Sequence, residues 1–308
     1  MRKYFSITKI ILITVLLFFS LDLILGKYFY KKFIRKNFLD VDTSFAIQDQ
    51  VYDHAFSPSY KGLAGWGNIR VQYCTDANGF RSSCKSQFDD TKEFDIGFIG
   101  DSFTEAVGID FEKSFVGIIS SNLPSKKIAN LAVSSYSTSI YYAKINHLLK
   151  NNYKFKEIIV FVDIGDIVDD TVCYKLDREI VVRRKEFEGC FSPIFTAKEK
   201  INKFFKSQFR LSYELYSQVK IRLIKNQLLS YSVTDNQINN RRSDWLHNYK
   251  PENYNNYSYD EAKDILIFNM EKLAKLLRKN NTNLSVAVYP WPGTLKYNIE
   301  NNDYLNMW

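Results

Sequence analysis

Histidine is scarce in this chain, three residues in 308, and that scarcity leaves few side chains able to trade protons near neutral pH. They are His54, His147 and His247, and the stretch after Gly293 has none. Cysteine is nearly as sparse. The four residues form no Cys-x-x-Cys pair and neither local couple encloses a histidine, so neither spacing resembles that of a structural zinc site. Asp163, Asp166, Asp169 and Asp170 crowd one short stretch but lack the spacing of an EF-hand loop. No metal and no cofactor is expected. A recognisable nucleic-acid motif is also missing, because the net charge of +8 is spread through segments rich in Asn and Tyr. That charge suits a solvated surface near an anionic membrane or an acidic glycan, and nucleic acid is not an expected partner.

What is present can bury a core: 45% of residues are hydrophobic and 25% charged. Phe5–Leu25 is an apolar run close to the ~20 residues of a spanning helix. Arg2 and Lys3 precede it, and no Ala-x-Ala-like cleavage site follows, so residues 1–36 read as an uncleaved signal anchor held by membrane lipid. Lys27, Lys31, Lys32, Arg35 and Lys36 crowd the far flank and leave the charge rule for orientation undecided. A buried N-terminal helix of a soluble protein is the alternative, with Lys9 and Asp22 its best support.

The stretch Ile96-Gly97-Phe98-Ile99-Gly100-Asp101-Ser102-Phe103-Thr104 is an apolar strand ending in Gly-Asp-Ser. Such a junction lifts a hydroxyl to the carboxyl edge of an α/β sheet, and Ser102 is the candidate nucleophile, supported by Gly100 and Asp101. Two more strands follow, Lys127–Val133 and the near-continuously apolar Glu157–Asp163, each followed by polar residues. The Gly100-Asp101-Ser102 block resembles the first motif of the SGNH (GDSL-type) esterases and acyltransferases.

The resemblance implies a three-layer α/β/α, flavodoxin-like parallel sheet. It implies attack by Ser102 on an ester, with acyl groups of envelope polysaccharide as substrate and a glycan as partner. The second block of that family, Asn-x-Gly-x-x-Gly, meets Asn130, Ala132 and Ser135 here. The third, Gly-x-Asn-Asp, puts Gly165 where asparagine is expected and Asp166 on the aspartate. Oxyanion donors would then be the backbone N–H groups of Ser102, Ser135 and Gly165, and losing one such donor typically costs ~2.7–4 kcal/mol. Family members with one N-terminal anchor act outside the cytoplasm, which implies an extracytoplasmic, periplasmic domain.

Residues 37–92 carry dense turn chemistry, with Asn78-Gly79 a tight turn, and read as a long lid or approach loop before the serine block. Cys74 with Cys84 and Cys173 with Cys190 form two local couples that suit disulfides; buried free thiols are the alternative. The α/β domain spans 93–308, interrupted at about 173–257 by an insertion whose apolar stripe from Ile201 to Leu223 would pack on its own domain, lie on a membrane or cap the site. Asp244-Trp245-Leu246-His247 reads as Asp-x-x-His, with His247 the candidate base and Asp244 its orienter, although the family carries this block after the last strand. His54, in the lid, is a second candidate base, and His147 reads as a structural helix residue. The expected final block is missing after Pro290-Trp291-Pro292-Gly293, so the chain is expected to stop short of its natural end. A catalytically silent glycan-binding or scaffold domain is the alternative.

Overall fold

The computed structural model describes residues 2–29, 45–66, 69–85, 90–184, 190, 204–205, 208–213, 215–216, 219, 251 and 255–289. The chain divides into two compact units, 1–40 with 194–233 and 41–193 with 234–308.

In the first unit α1 (Arg2–Leu21) continues through a π-turn, Asp22–Gly26, into Lys27–Phe29. Residues Ile7–Gly26 are long and apolar enough to cross a membrane. Described residues between 204 and 219 are helical except Phe209, and the Phe209 ring meets Phe19 edge-on at 5.7 Å. Of the stripe from Ile201 to Leu223, Phe209 thus meets α1 within the first unit.

The second unit is mixed α/β around a seven-stranded sheet. Its strands are β3 (Lys61–Trp66), β4 (Ile69–Thr75), β5 (Arg81–Ser82), β6 (Glu93–Ile99), β7 (Ile128–Asn130), β8 (Lys154–Val162) and β11 (Asn283–Val288), in the spatial order β11-β8-β6-β7-β5-β4-β3. β11, β8, β6 and β7 run parallel, while β5, β4 and β3 add antiparallel strands beyond β7. Two further hairpins, β1 (Ala46–Asp49) with β2 (Asp53–Phe56) and β9 (Tyr174–Asp177) with β10 (Ile180–Arg183), stand beside it. The lid-loop expectation for 37–92 is corrected here. Its turn residues separate short strands rather than filling one loop, and Gly79 makes the tight turn at φ +79°, where an added Cβ would meet the Phe56 carbonyl at 2.5 Å. Tyr174–Arg183, read as the start of the insertion, also pairs as strands of this unit.

β6 and β8 are the two inner strands of the parallel part because both faces of each are apolar. On one face the rings of Phe98 and Phe161 meet Phe115 of α3 (Phe115–Asn122), centroids 6.0 and 4.8 Å apart. On the other, Ile158, Val160 and Val162 join the main core with Ile140 and Ile145 of α4 (Thr138–Lys150) and Leu273 and Leu277 of α6 (Tyr259–Lys279). Helix α6 starts at a capping box between Ser258 and Glu261, which satisfies its first N–H groups. The short helices α2 (Ser102–Glu105) and α5 (Ile164–Val168) begin directly after β6 and β8. The sulfurs of Cys74 and Cys84, and of Cys173 and Cys190, are bonded.

Candidate functional site

Ser102 opens α2 three residues past the end of β6, at the carboxyl edge of the parallel strands. Gly100 makes the sharp exit possible: a Cβ there would lie 2.3 Å from Thr104 Oγ1. Asp101 is the N-cap, its Oδ1 accepting from the Phe103 N–H at 2.9 Å. Ser102 is half-buried, and among the described residues its Oγ makes one hydrogen bond, donated to Asp101 Oδ2 at 3.3 Å.

Around Asp101 lies a set of buried acids and phenols. Tyr289, just past β11, donates to Asp101 Oδ1 at 2.5 Å, and Tyr141 donates to Asp166 Oδ1 at 2.8 Å. Asp163 and Asp166 form a reciprocal capping box at the start of α5. Burial, then the neighbouring carboxylates Asp163 and Asp101, push the Asp166 carboxyl well above its ordinary range. Burial and the same acids raise the Tyr289 phenol, so it stays a neutral donor. Gly165, the second residue of α5, is buried, and first-turn N–H groups have no intrahelical acceptor.

The stretch leaving β7 carries Ser135, whose φ of +62° is the left-handed conformation that glycine favours. Asn130 is buried, donating to the Thr104 carbonyl at 2.8 Å and accepting from the Ala132 N–H at 3.1 Å, and so ties α2 to this stretch. The sequence reading missed what clamps Ser134. Its N–H and Oγ both donate to Glu105 Oε2 at 2.6 Å, while Tyr73 donates to Oε1 at 2.9 Å. Burial raises the Glu105 carboxyl against these hydrogen bonds. The signal was available in Glu105, an acid three residues after Ser102, and therefore one helical turn from it.

His54 holds the same stretch from the other side. It is fully buried in β2, with Nδ1 2.7 Å from Asp53 Oδ2 and Nε2 2.8 Å from the Ser134 carbonyl. Arg183 donates to both Asp53 oxygens, at 2.6 and 2.9 Å. With each ring nitrogen engaged, His54 ties β2 to Ser134, and it sits in a strand rather than in a loop. His147 lies in the last turn of α4 beside Asn151, as a structural histidine would. Asp244 and His247 lie outside the described residues, as does the chain after Tyr289.

The acidic stretch is not an open rim. Asp163, Asp166, Asp169 and Asp170 are all buried. Asp170 accepts from Ser137, Thr138 and Ser139 hydroxyls, and burial raises its carboxyl. Among the described residues no three His, Cys, Asp or Glu converge on a possible metal position. A cavity of about 440 Å³ opens beside this cluster, walled by Tyr174, Tyr257 and Phe268 with Asp170, Arg184 and Asn269; Ser102 is not in its lining.

No family model matches the chain, and no curated protein is significantly similar to it.

Proposed function

We propose that the α/β unit is a serine-dependent esterase or O-acyltransferase of the SGNH type, acting on acyl, chiefly acetyl, esters of envelope polysaccharide. The observation that carries this reading is Ser102, half-buried on the first turn after the central strand β6, with Ser135 in a glycine-like conformation after the neighbouring strand. The parallel order β7-β6-β8-β11, second-first-third-fourth along the chain, supports a flavodoxin-like arrangement. Ser102 Oγ would bond to the acyl carbon while its proton passes to a base. The acyl–oxygen bond of the ester then breaks, the leaving alcohol takes that proton, and water or a sugar hydroxyl removes the acyl group. His247 with Asp244 is the proposed base. The two disulfides support an oxidising, extracytoplasmic location for this unit.

The test is labelling of the full chain in membranes with a fluorophosphonate. The parent should react, Ser102→Ala should abolish the signal, and His247→Ala should slow it by ~10²–10⁴-fold. An unreactive parent chain would leave the second reading, a silent glycan-binding domain. That reading is favoured by one observation: among the described residues no histidine touches Ser102, while the aromatic-walled cavity lies elsewhere.

A further inference from the structure

Asp22 is the anomaly of the N-terminal helix. It is a carboxylate within the 20-residue apolar span Ile7–Gly26, yet it is 1% exposed, while Leu21, Leu23 and Leu25 around it are 41–56% exposed. An acid inside a membrane span is costly and is kept only where it has partners. The partners come from a point almost two hundred residues away. The Leu211 N–H donates to Asp22 Oδ1 at 3.0 Å, and the Ser212 N–H and Oγ donate to Oδ2 at 2.8 and 2.5 Å.

Phe209 breaks the helical run and Arg210 restarts it, so Leu211 and Ser212 hold the second and third helical positions. Those N–H groups are the ones a helix cap satisfies. Here the cap is supplied by the membrane helix instead of by the residue before. The anchor is also shaped for it. The chain switches to a π-turn over Asp22–Gly26, and a Cβ on Gly26 would fall 1.8 Å from Asp22 Oδ1. Glycine at this position leaves the space that the carboxylate occupies.

Around the joint the apolar surface is continuous. Phe205, Phe209 and Phe19 form a chain of rings with centroids 5.6 and 5.7 Å apart. Beyond it Phe204, Leu215, Tyr216 and Val219 are 47–60% exposed, like the exposed apolar residues of α1 itself. In sequence Lys206, Arg210 and the single acid Glu214 fall within 204–219, with Lys203 before it and Lys220, Arg222 and Lys225 after it. Apolar and basic residues mixed in this way suit a helix lying at an anionic lipid surface. Asp22 lies in the last quarter of the span, near a bilayer interface and not at its centre.

We propose that the helical residues described between Phe204 and Val219 belong to a second, bilayer-bound element of the anchor, clamped to the spanning helix through Asp22, with the lipid interface as its partner. The insertion then serves to fix the anchor in the membrane, independently of whether Ser102 is reactive.

The test uses the full chain in vesicles of phosphatidylcholine and phosphatidylglycerol. An environment-sensitive NBD label is placed by Leu215→Cys, the native cysteines being disulfide-bonded, and a control label by Leu16→Cys in the span. At 215 the label should emit as in an apolar medium, resist aqueous iodide and be quenched by lipid-borne spin labels. Asp22→Leu, which keeps the span apolar, should raise iodide quenching at 215 several-fold and leave position 16 protected. Gly26→Ala, which displaces the carboxylate, should do the same. Iodide access at 215 in the parent with position 16 protected, or no response of 215 to either variant, would overturn the clamp. Iodide access at position 16 would overturn the span and the clamp together.

Discussion

Two corners of the same sheet edge hold polar side chains in opposite ways. Where β7 ends, His54, Asp53, Glu105, Tyr73 and Lys144 are buried and joined by hydrogen bonds to one another or to the backbone of one stretch. Where β6 ends, Ser102 is half-buried, and its hydrogen bond to Asp101, at 3.3 Å, is longer than the ~2.5–3.0 Å usual for hydroxyl donors. Satisfied groups in a dry site rigidify it. A hydroxyl held by one long bond can turn toward an incoming carbonyl. A histidine next to an aspartate near a sheet edge can thus be fully engaged in holding backbone. Partial exposure and a single long hydrogen bond belong to Ser102 and not to His54.

The sharpest way to break the β7 corner is Asp53→Ala. It leaves the buried His54 Nδ1 without its partner and frees a guanidinium that is about a third exposed, and leaving a buried polar group unsatisfied costs ~1–3 kcal/mol. Urea unfolding should show a loss of that order. pH adds a second measurement. Burial alone would raise the Asp53 carboxyl, but hydrogen bonds from His54 and Arg183 outweigh it and hold it below its ordinary 3.8. A lowered carboxyl adds stability above its unfolded pKa, and that stability is lost as pH falls through the folded value. Asp53→Asn should therefore flatten the stability curve below about pH 4. An unchanged acid limb would show that the pair contributes nothing.

Lys144 sharpens the same corner from the alkaline side. Its Nζ donates to the Leu131 carbonyl at 2.7 Å and to Tyr136 at 3.1 Å, and burial lowers its pKa from 10.5 to about 7. Between those values the folded chain binds fewer protons than the unfolded one, so this lysine makes stability rise with pH. The slope can approach ~1.4 kcal/mol per pH unit. Lys144→Met removes it. The difference in unfolding free energy between parent and variant should change in the parent's favour from pH 7 to 9, and a difference independent of pH would refute the burial of a titrating amine.

Much of this arrangement was legible beforehand, and the failures have a common cause. Periodicity and apolar runs marked β6, β8, α6 and β11 to within a few residues because each buries a long face. Asn78-Gly79 was legible because only glycine meets the backbone demand at Gly79. The strands between 46 and 82 were missed because they are two to seven residues long and rich in turn formers. So dense a run of Gly, Asn, Asp and Pro reads as loop until long-range pairing supplies the hydrogen bonds. The clamp on Ser134 was invisible for a related reason. His54 and Glu105 lie eighty and twenty-nine residues from it, and only the folded sheet brings them together.

Gly100→Ala attacks the other corner. The added Cβ meets Thr104 Oγ1 at 2.3 Å, Thr104 Cβ at 2.9 Å and Phe161 Cβ at 3.2 Å. Overpacking of this kind costs ~1–3 kcal/mol. The displacement should fall on α2, so fluorophosphonate labelling of Ser102 should slow by ~10²-fold. Hydrogen exchange should quicken in 101–106 and stay unchanged in β2. Equal loosening at both corners would mean that they are one cooperative structure.

Ser135→Gly is the smallest and most discriminating change. A non-glycine residue at φ +62° costs about 1–2 kcal/mol, whereas glycine brings an entropic cost of ~0.5–1 kcal/mol to the folded state. The strain relieved exceeds the entropy lost, so the variant should gain roughly 0.5 kcal/mol in urea unfolding. Its backbone N–H survives, and Ser134, held by Glu105 and His54, keeps the stretch in place. Labelling of Ser102 should then stay within about twofold of the parent, well inside the ~2.7–4 kcal/mol that losing an oxyanion donor costs. A large loss of labelling with stability intact would move the contribution from the Ser135 N–H to its hydroxyl. The glycine-like backbone would then be a consequence of how the β7 corner is packed, with no part in holding the oxyanion.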